Sequence, residues 1–163
     1  MVKTLLNEVK EYKKDTILSP VYVSIEAILE VFIPFLMAIL VDNGIEKGDM
    51  KSIWFYGFLM LVAAFVSLWA GAKSGKHAAI ASSGFAKNLR KAEYRNIQNF
   101  SFSNIDAYST SGLITRMMTD VTNIQNAYQM IIRICVRAPL MLIASLIMAF
   151  IINKEMALIF VAG

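Results

Sequence analysis

Hydrophobic residues in this chain fall in long blocks, not in the short rhythm of a soluble fold. Residues 17–41 carry only two charges, Glu26 and Glu30, and residues 52–72 carry none, so each block can cross about 30 Å of hydrocarbon as a helix. A third uncharged block, 138–152, is shorter than the roughly 20 residues a span needs and must borrow the turns that hold Arg133 and Arg137. Those arginines are expected to anchor to anionic lipid headgroups or to face a protein interior. Pro34 inside the first block predicts a kink, and Asp42-Asn43-Gly44 supplies its stop.

Helical periodicity continues where the second block ends. Beyond Lys73, Phe85, Leu89, Ala92 and Phe100 share one side while Lys87, Arg90, Lys91 and Arg95 take the other. One helix over 52–100 is therefore predicted, roughly 70 Å long at 1.5 Å per residue. Leu113, Met117, Val121, Ile124, Tyr128, Ile131 and Cys135 then draw an apolar stripe that predicts a third helix over 112–152, roughly 60 Å long. The turn between them, 101–111, is rich in capping residues. Within it Phe102, Ile105 and Tyr108 recur at every third position, rimmed by Asn104 and Asp106 and followed by Ser109 and Thr110, which makes a compact anchor for a partner surface. Residues 1–16 read either as a Lys-rich amphipathic helix at the membrane surface or as a solvated leader. The apolar run 156–163 is expected to open a fourth span of a longer polypeptide.

Composition agrees with spans. With 57% hydrophobic and 17% charged residues and a mean hydropathy of +0.56, an ordinary soluble domain is excluded and an all-α membrane protein is expected. The net charge of +4 follows the membrane, not a nucleic acid: thirteen of the sixteen Lys and Arg lie before the first span or within 73–137. This puts the N-terminus and that excursion in the cytoplasm. The single cysteine, Cys135, is expected to be a small buried hydrophobe, and the single histidine, His77, an interfacial side chain and not a metal ligand.

Candidate chemistry is sparse. Glu26 and Glu30 lie four apart on one helical face, and carboxylates in hydrocarbon require a cavity, a partner or water. A bond to another helix is the expectation for Glu26, and a cavity that draws a cationic substrate is the expectation for Glu30, with Met141 and Met148 as pliable lining. Arg116 and Asp120 are expected to form a structural pair across one turn. No Gly-x-x-x-x-Gly-Lys-Ser/Thr loop occurs, so no catalytic residue is assigned and no cofactor is expected in this chain.

Three stretches carry a resemblance. PVYVSIEAILEVFIPFLMAILVDNGI from Pro20, SFSNIDAYSTSGLITRMMTDVTNIQN from Ser101, and Arg133-Ile134-Cys135-Val136-Arg137-Ala138-Pro139 together resemble the transmembrane domain of ABC exporters. That domain has the type IV fold, also called the ABC type-1 transmembrane domain, and the resemblance is closest to bacterial heterodimeric multidrug exporters. Asn104-Ile105-Asp106 departs from the Phe-Phe-Asp of many exporters. The resemblance implies that Phe102, Asn104, Ile105, Asp106, Ala107, Tyr108, Ser109 and Thr110 form a coupling turn docked on a nucleotide-binding domain of the same or a partner subunit. It further implies ATP and Mg in the full-length protein, a dimeric transporter in the bacterial plasma membrane, and an inward cavity for small amphipathic substrates. Two other functions compete: a stand-alone proton-coupled cation carrier using Glu26 and Glu30, and a membrane scaffold whose turn binds a cytoplasmic protein. A proton-coupled carrier needs no helices much longer than the bilayer is thick, whereas an ATP-driven lever does.

Overall fold

A computed structural model describes residues 8–99 and 110–152, with Lys154 and Ala157 beyond them. Among these residues every regular element is helical: α1 (Lys13–Leu40), α2 (Met50–Gln98), α3 (Thr110–Thr115) and α4 (Val121–Ile152). Three helical stretches, Lys10–Ile45, Met50–Gln98 and Arg116–Ile152, are long and apolar enough to cross a membrane. The coupling turn, apart from the helical Thr110, and the expected fourth span, apart from Ala157, lie outside the described residues.

Each helix starts or stops for a local reason. The first begins after a 3-10 turn, Lys10–Tyr12, in which Lys10 adopts a positive φ of 40°. It then runs unbroken to Leu40, through residue 17, where the sequence predicts a junction between a surface helix and a span. It closes in a π turn, Val41–Ile45, whose buried Gly44 admits Ile53: a Cβ at residue 44 would come within 2.7 Å of the Ile53 side chain. Asp49 opens α2 as its cap, accepting hydrogen bonds from the Ser52 hydroxyl at 2.7 Å and the Lys51 N–H at 3.1 Å. Those two bonds, the Ser52 hydroxyl foremost, hold the Asp49 carboxyl below its ordinary range.

The chain divides into two compact units, residues 1–19 with 75–133 and residues 20–74 with 134–163. In the first, Val9, Ala78, Ala81, Phe85, Ala86, Leu89, Val121, Tyr128 and Ile132 form the core, with Tyr12 and Ile124 against it. Small side chains dominate the α2 face, and Ser82 is fully buried there, which lets backbones approach closely. Gly84 marks the tightest approach, since a Cβ at that position would run into the Tyr12 ring. Phe85 and Tyr128 stack at 4.7 Å between ring centroids, and the Tyr128 hydroxyl meets the Thr16 hydroxyl at 2.8 Å.

Two expectations are corrected here. The apolar seam of α4 runs through Val121, Ile124, Tyr128 and Ile132, while Ile131 is exposed. The core it serves stops at Ile132, so Cys135 is exposed and not buried. Nor are the described residues of the N-terminal segment a solvated leader. Val9 is buried, the Asn88 amide donates to the Glu8 carbonyl at 2.8 Å, and His77 Nδ1 lies 2.7 Å from Asp15 Oδ1.

In the second unit Val23, Ala27, Leu36, Ala63 and Ala70 are buried, and Tyr22 meets Trp69 edge-on at 5.6 Å. Trp54, Phe58, Phe65 and Leu68 are all more than half exposed, as suits side chains whose solvent is lipid.

Gly84→Ala places a methyl against the Tyr12 ring and is expected to destabilise the first unit by about 1–3 kcal/mol. Tyr128→Phe, which removes only the hydroxyl facing Thr16, should cost about 0.5–1.5 kcal/mol. Thermal unfolding in detergent measures both, and a Gly84→Ala protein that melts with the wild type would show that Tyr12 does not pack on α2.

Candidate functional site

Charge in an apolar setting locates the site, which lies within the second unit. Glu26 and Glu30 are one helical turn apart on α1, so their carboxylates share a face. Arg137, from α4, meets both. Its Nη2 donates to Glu30 Oε1 at 2.7 Å and Oε2 at 2.6 Å, and its Nη1 reaches Glu26 Oε1 at 3.4 Å. A guanidinium suits this role because it stays charged and carries several donors in a fixed fork. The three side chains are partly buried, Glu26 the most at 13% exposure. Glu26 Oε2 is fully enclosed and has no hydrogen-bond partner among the described residues.

Glycine brings α2 into the arrangement. A Cβ at Gly71 would stand 2.8 Å from Glu26 Oε1, so the Glu26 carboxylate rests where only a glycine leaves room. Two open grooves flank the charges. One, of about 440 Å³, is lined by Glu30, Pro34, Phe35, Met141, Ser145 and Met148 among others. A second, of about 450 Å³, is lined by Glu26, Glu30, Ile33, Ser67, Leu68 and Gly71 among others. Glu30 therefore borders both, and the structure brings Met141 and Met148 to the same groove as Glu30.

Of the two settings expected for Arg137, lipid headgroups or a protein interior, the structure shows the second. Arg137 faces two carboxylates and not lipid headgroups, because an intramembrane acid draws the nearest available cation. The signal was present: two carboxylates in one span require a counter-charge, and Arg137 directly precedes an uncharged block. Gly71 carried no comparable signal, since its use is visible only once α1 lies beside it.

A second group of charges lies around the start of α4. Arg116–Asp120 forms a π segment, and both side chains are exposed. Asp120 also acts on Glu93, which lies some 20 residues, or roughly 30 Å of helix, beyond the uncharged stretch of α2. Burial foremost, and then the Asp120 charge, push the Glu93 carboxyl up, with Arg90 opposing; Glu93 Oε2 is enclosed without a partner among the described residues. Arg90 also donates to the Thr122 hydroxyl at 3.1 Å. Of the expected coupling residues only Thr110 is described, as the first residue of α3.

A family model for the ABC transporter transmembrane region matches residues 16–163. Among curated proteins, the chain is 34% identical over 131 residues to the uncharacterised ABC transporter ATP-binding protein YfiB of Bacillus subtilis, covering 80% of this chain and 23% of that one. It is also 27% identical over 165 residues to the uncharacterised ABC transporter ATP-binding protein Rv1273c of Mycobacterium tuberculosis, covering 97% of this chain and 27% of the relative. The chain thus spans about a quarter of the length of these relatives.

Folded Glu93 holds its proton to higher pH than an unfolded chain would, so its ionised form opposes folding at neutral pH and that opposition fades as pH falls. Glu93→Gln is expected to raise the melting temperature at about pH 7.5 and to give little gain near about pH 3, below the ordinary carboxylate range, where both states hold the proton. An equal shift at both values would show that the effect is not one of charge.

Proposed function

The chain belongs to the ABC transporter transmembrane-region family, and from that premise we propose that it forms the N-terminal transmembrane part of an ATP-driven exporter subunit. In this reading ATP and Mg are bound by a nucleotide-binding domain outside these residues, and its closure is passed to the spans through residues 102–110. The subunit works in the plasma membrane of a bacterium, as one half of a heterodimer, with its N-terminus and residues 73–137 in the cytoplasm. Small amphipathic compounds move outward by alternating access.

One observation carries the reading. Helix α2 runs 49 residues without a break, whereas the hydrocarbon needs about 20. A helix of that length is wasted in a stand-alone carrier but serves a lever that joins a cytoplasmic motor to the membrane. The relatives, whose names give them as ATP-binding proteins, support the same assignment. For the substrate, the support is chemical: grooves of about 440 and 450 Å³ with apolar walls and a carboxylate at the border suit an amphipathic cation of drug size.

Two measurements on the full-length transporter test this. Tyr108→Ala or Ile105→Asp should leave ATP hydrolysis running while transport into inside-out vesicles falls by about tenfold or more, as expected when a central anchor of an interface is lost; intact coupling in both would refute the assigned role of the turn. Glu30→Gln should weaken transport of cationic compounds selectively, and an equal loss for neutral and cationic compounds would reject the charge assignment.

A further inference from the structure

We propose that Arg137 sets the charge number of the ligand that the groove accepts, tuning it to organic cations of single positive charge. The inference rests on the reading of the Glu26 and Glu30 grooves as a substrate site and adds a residue that determines specificity there.

Counting charges leads to it. Two carboxylates face one guanidinium, which leaves one negative charge over. That surplus is not shared evenly. Both oxygens of Glu30 are engaged by Nη2 at 2.6 and 2.7 Å, whereas Glu26 has one long contact of 3.4 Å and a second oxygen that is enclosed without a partner among the described residues. Helix α2 contributes to this groove only uncharged residues, Ala64, Ser67, Leu68, Gly71 and Ala72. Its nearest cation, Lys73, stands over the Trp69 ring at 5.7 Å. An uncompensated charge in apolar surroundings favours a ligand that brings one positive charge and penalises one that brings none or two. Gly71 keeps the Glu26 carboxylate at this position, since any larger residue there would displace its Oε1.

The test uses the full-length transporter in nanodiscs and two probes on one scaffold, decyltriphenylphosphonium and the decane-linked bis-triphenylphosphonium, with binding read by tryptophan quenching. In the wild type the single cation is expected to bind at least as tightly as the double one. Arg137→Gln raises the surplus to two, and the ratio of the two dissociation constants should shift toward the dication by on the order of tenfold. Arg137→Lys, which retains the charge, should leave the ratio near the wild type. Should Arg137→Gln fail to fold, Glu26→Gln carries the test: the count becomes zero, and monocation binding must fall by about tenfold relative to a neutral analogue of the same shape. An unchanged ratio in Arg137→Gln, or unchanged monocation binding in Glu26→Gln, overturns the proposal. If Glu30→Gln still weakens cation binding in that case, the groove remains the substrate site and only the role of Arg137 falls. If no carboxylate variant affects cation binding, both fall.

Discussion

The structure of the second unit turns on one constraint: an ionised side chain among apolar neighbours must find a counter-charge. Removing a carboxylate from water costs several kcal/mol even after relaxation, and Coulomb attraction offsets this only with close geometry. Glu30 meets the condition through contacts of 2.6 and 2.7 Å to Arg137. Glu26 meets it in part. The same ion pair therefore ties α1 to α4 and leaves a residual charge beside an apolar groove. A wholly hydrophobic contact would join the helices as well, but it would offer a ligand nothing to recognise.

The first unit solves a different problem, close packing of helices with few large side chains. Ala78, Ala81, Ser82, Gly84 and Ala86 leave the α2 surface low, so the Tyr12 and Tyr128 rings settle onto it. Polar contacts then fix the register: Thr16 to Tyr128, Asp15 to His77 and Asn88 to the Glu8 carbonyl. Each joins residues at least 62 positions apart, so none could be inferred from local pattern. Together they hold the described part of the N-terminal segment against α2 and α4.

Both π turns among the described residues lie at helix ends. The π turn at Val41–Ile45 makes room for Ile53, and the π segment at Arg116–Asp120 precedes α4 and faces Glu93 through Asp120. Wider turns of this kind often mark functional places in long helices. The second adjoins the stretch proposed to receive the motion of a nucleotide-binding domain.

What the chain order alone determined is the set of long helices, because uncharged blocks and a 3.6-residue period need no partner to be recognised. Residues 52–72 and the apolar stripe through Val121 and Tyr128 speak for themselves in this way. The requirement for a counter-charge at Glu26 and Glu30 was equally legible, since its cause is solvation and not contact. The identity of that counter-charge was not. Only tertiary structure chose Arg137, assigned Gly71 to Glu26, ended the α4 seam at Ile132 and left Cys135 exposed. Each depends on which side of a helix another helix covers, and that is decided by packing between residues remote in the chain.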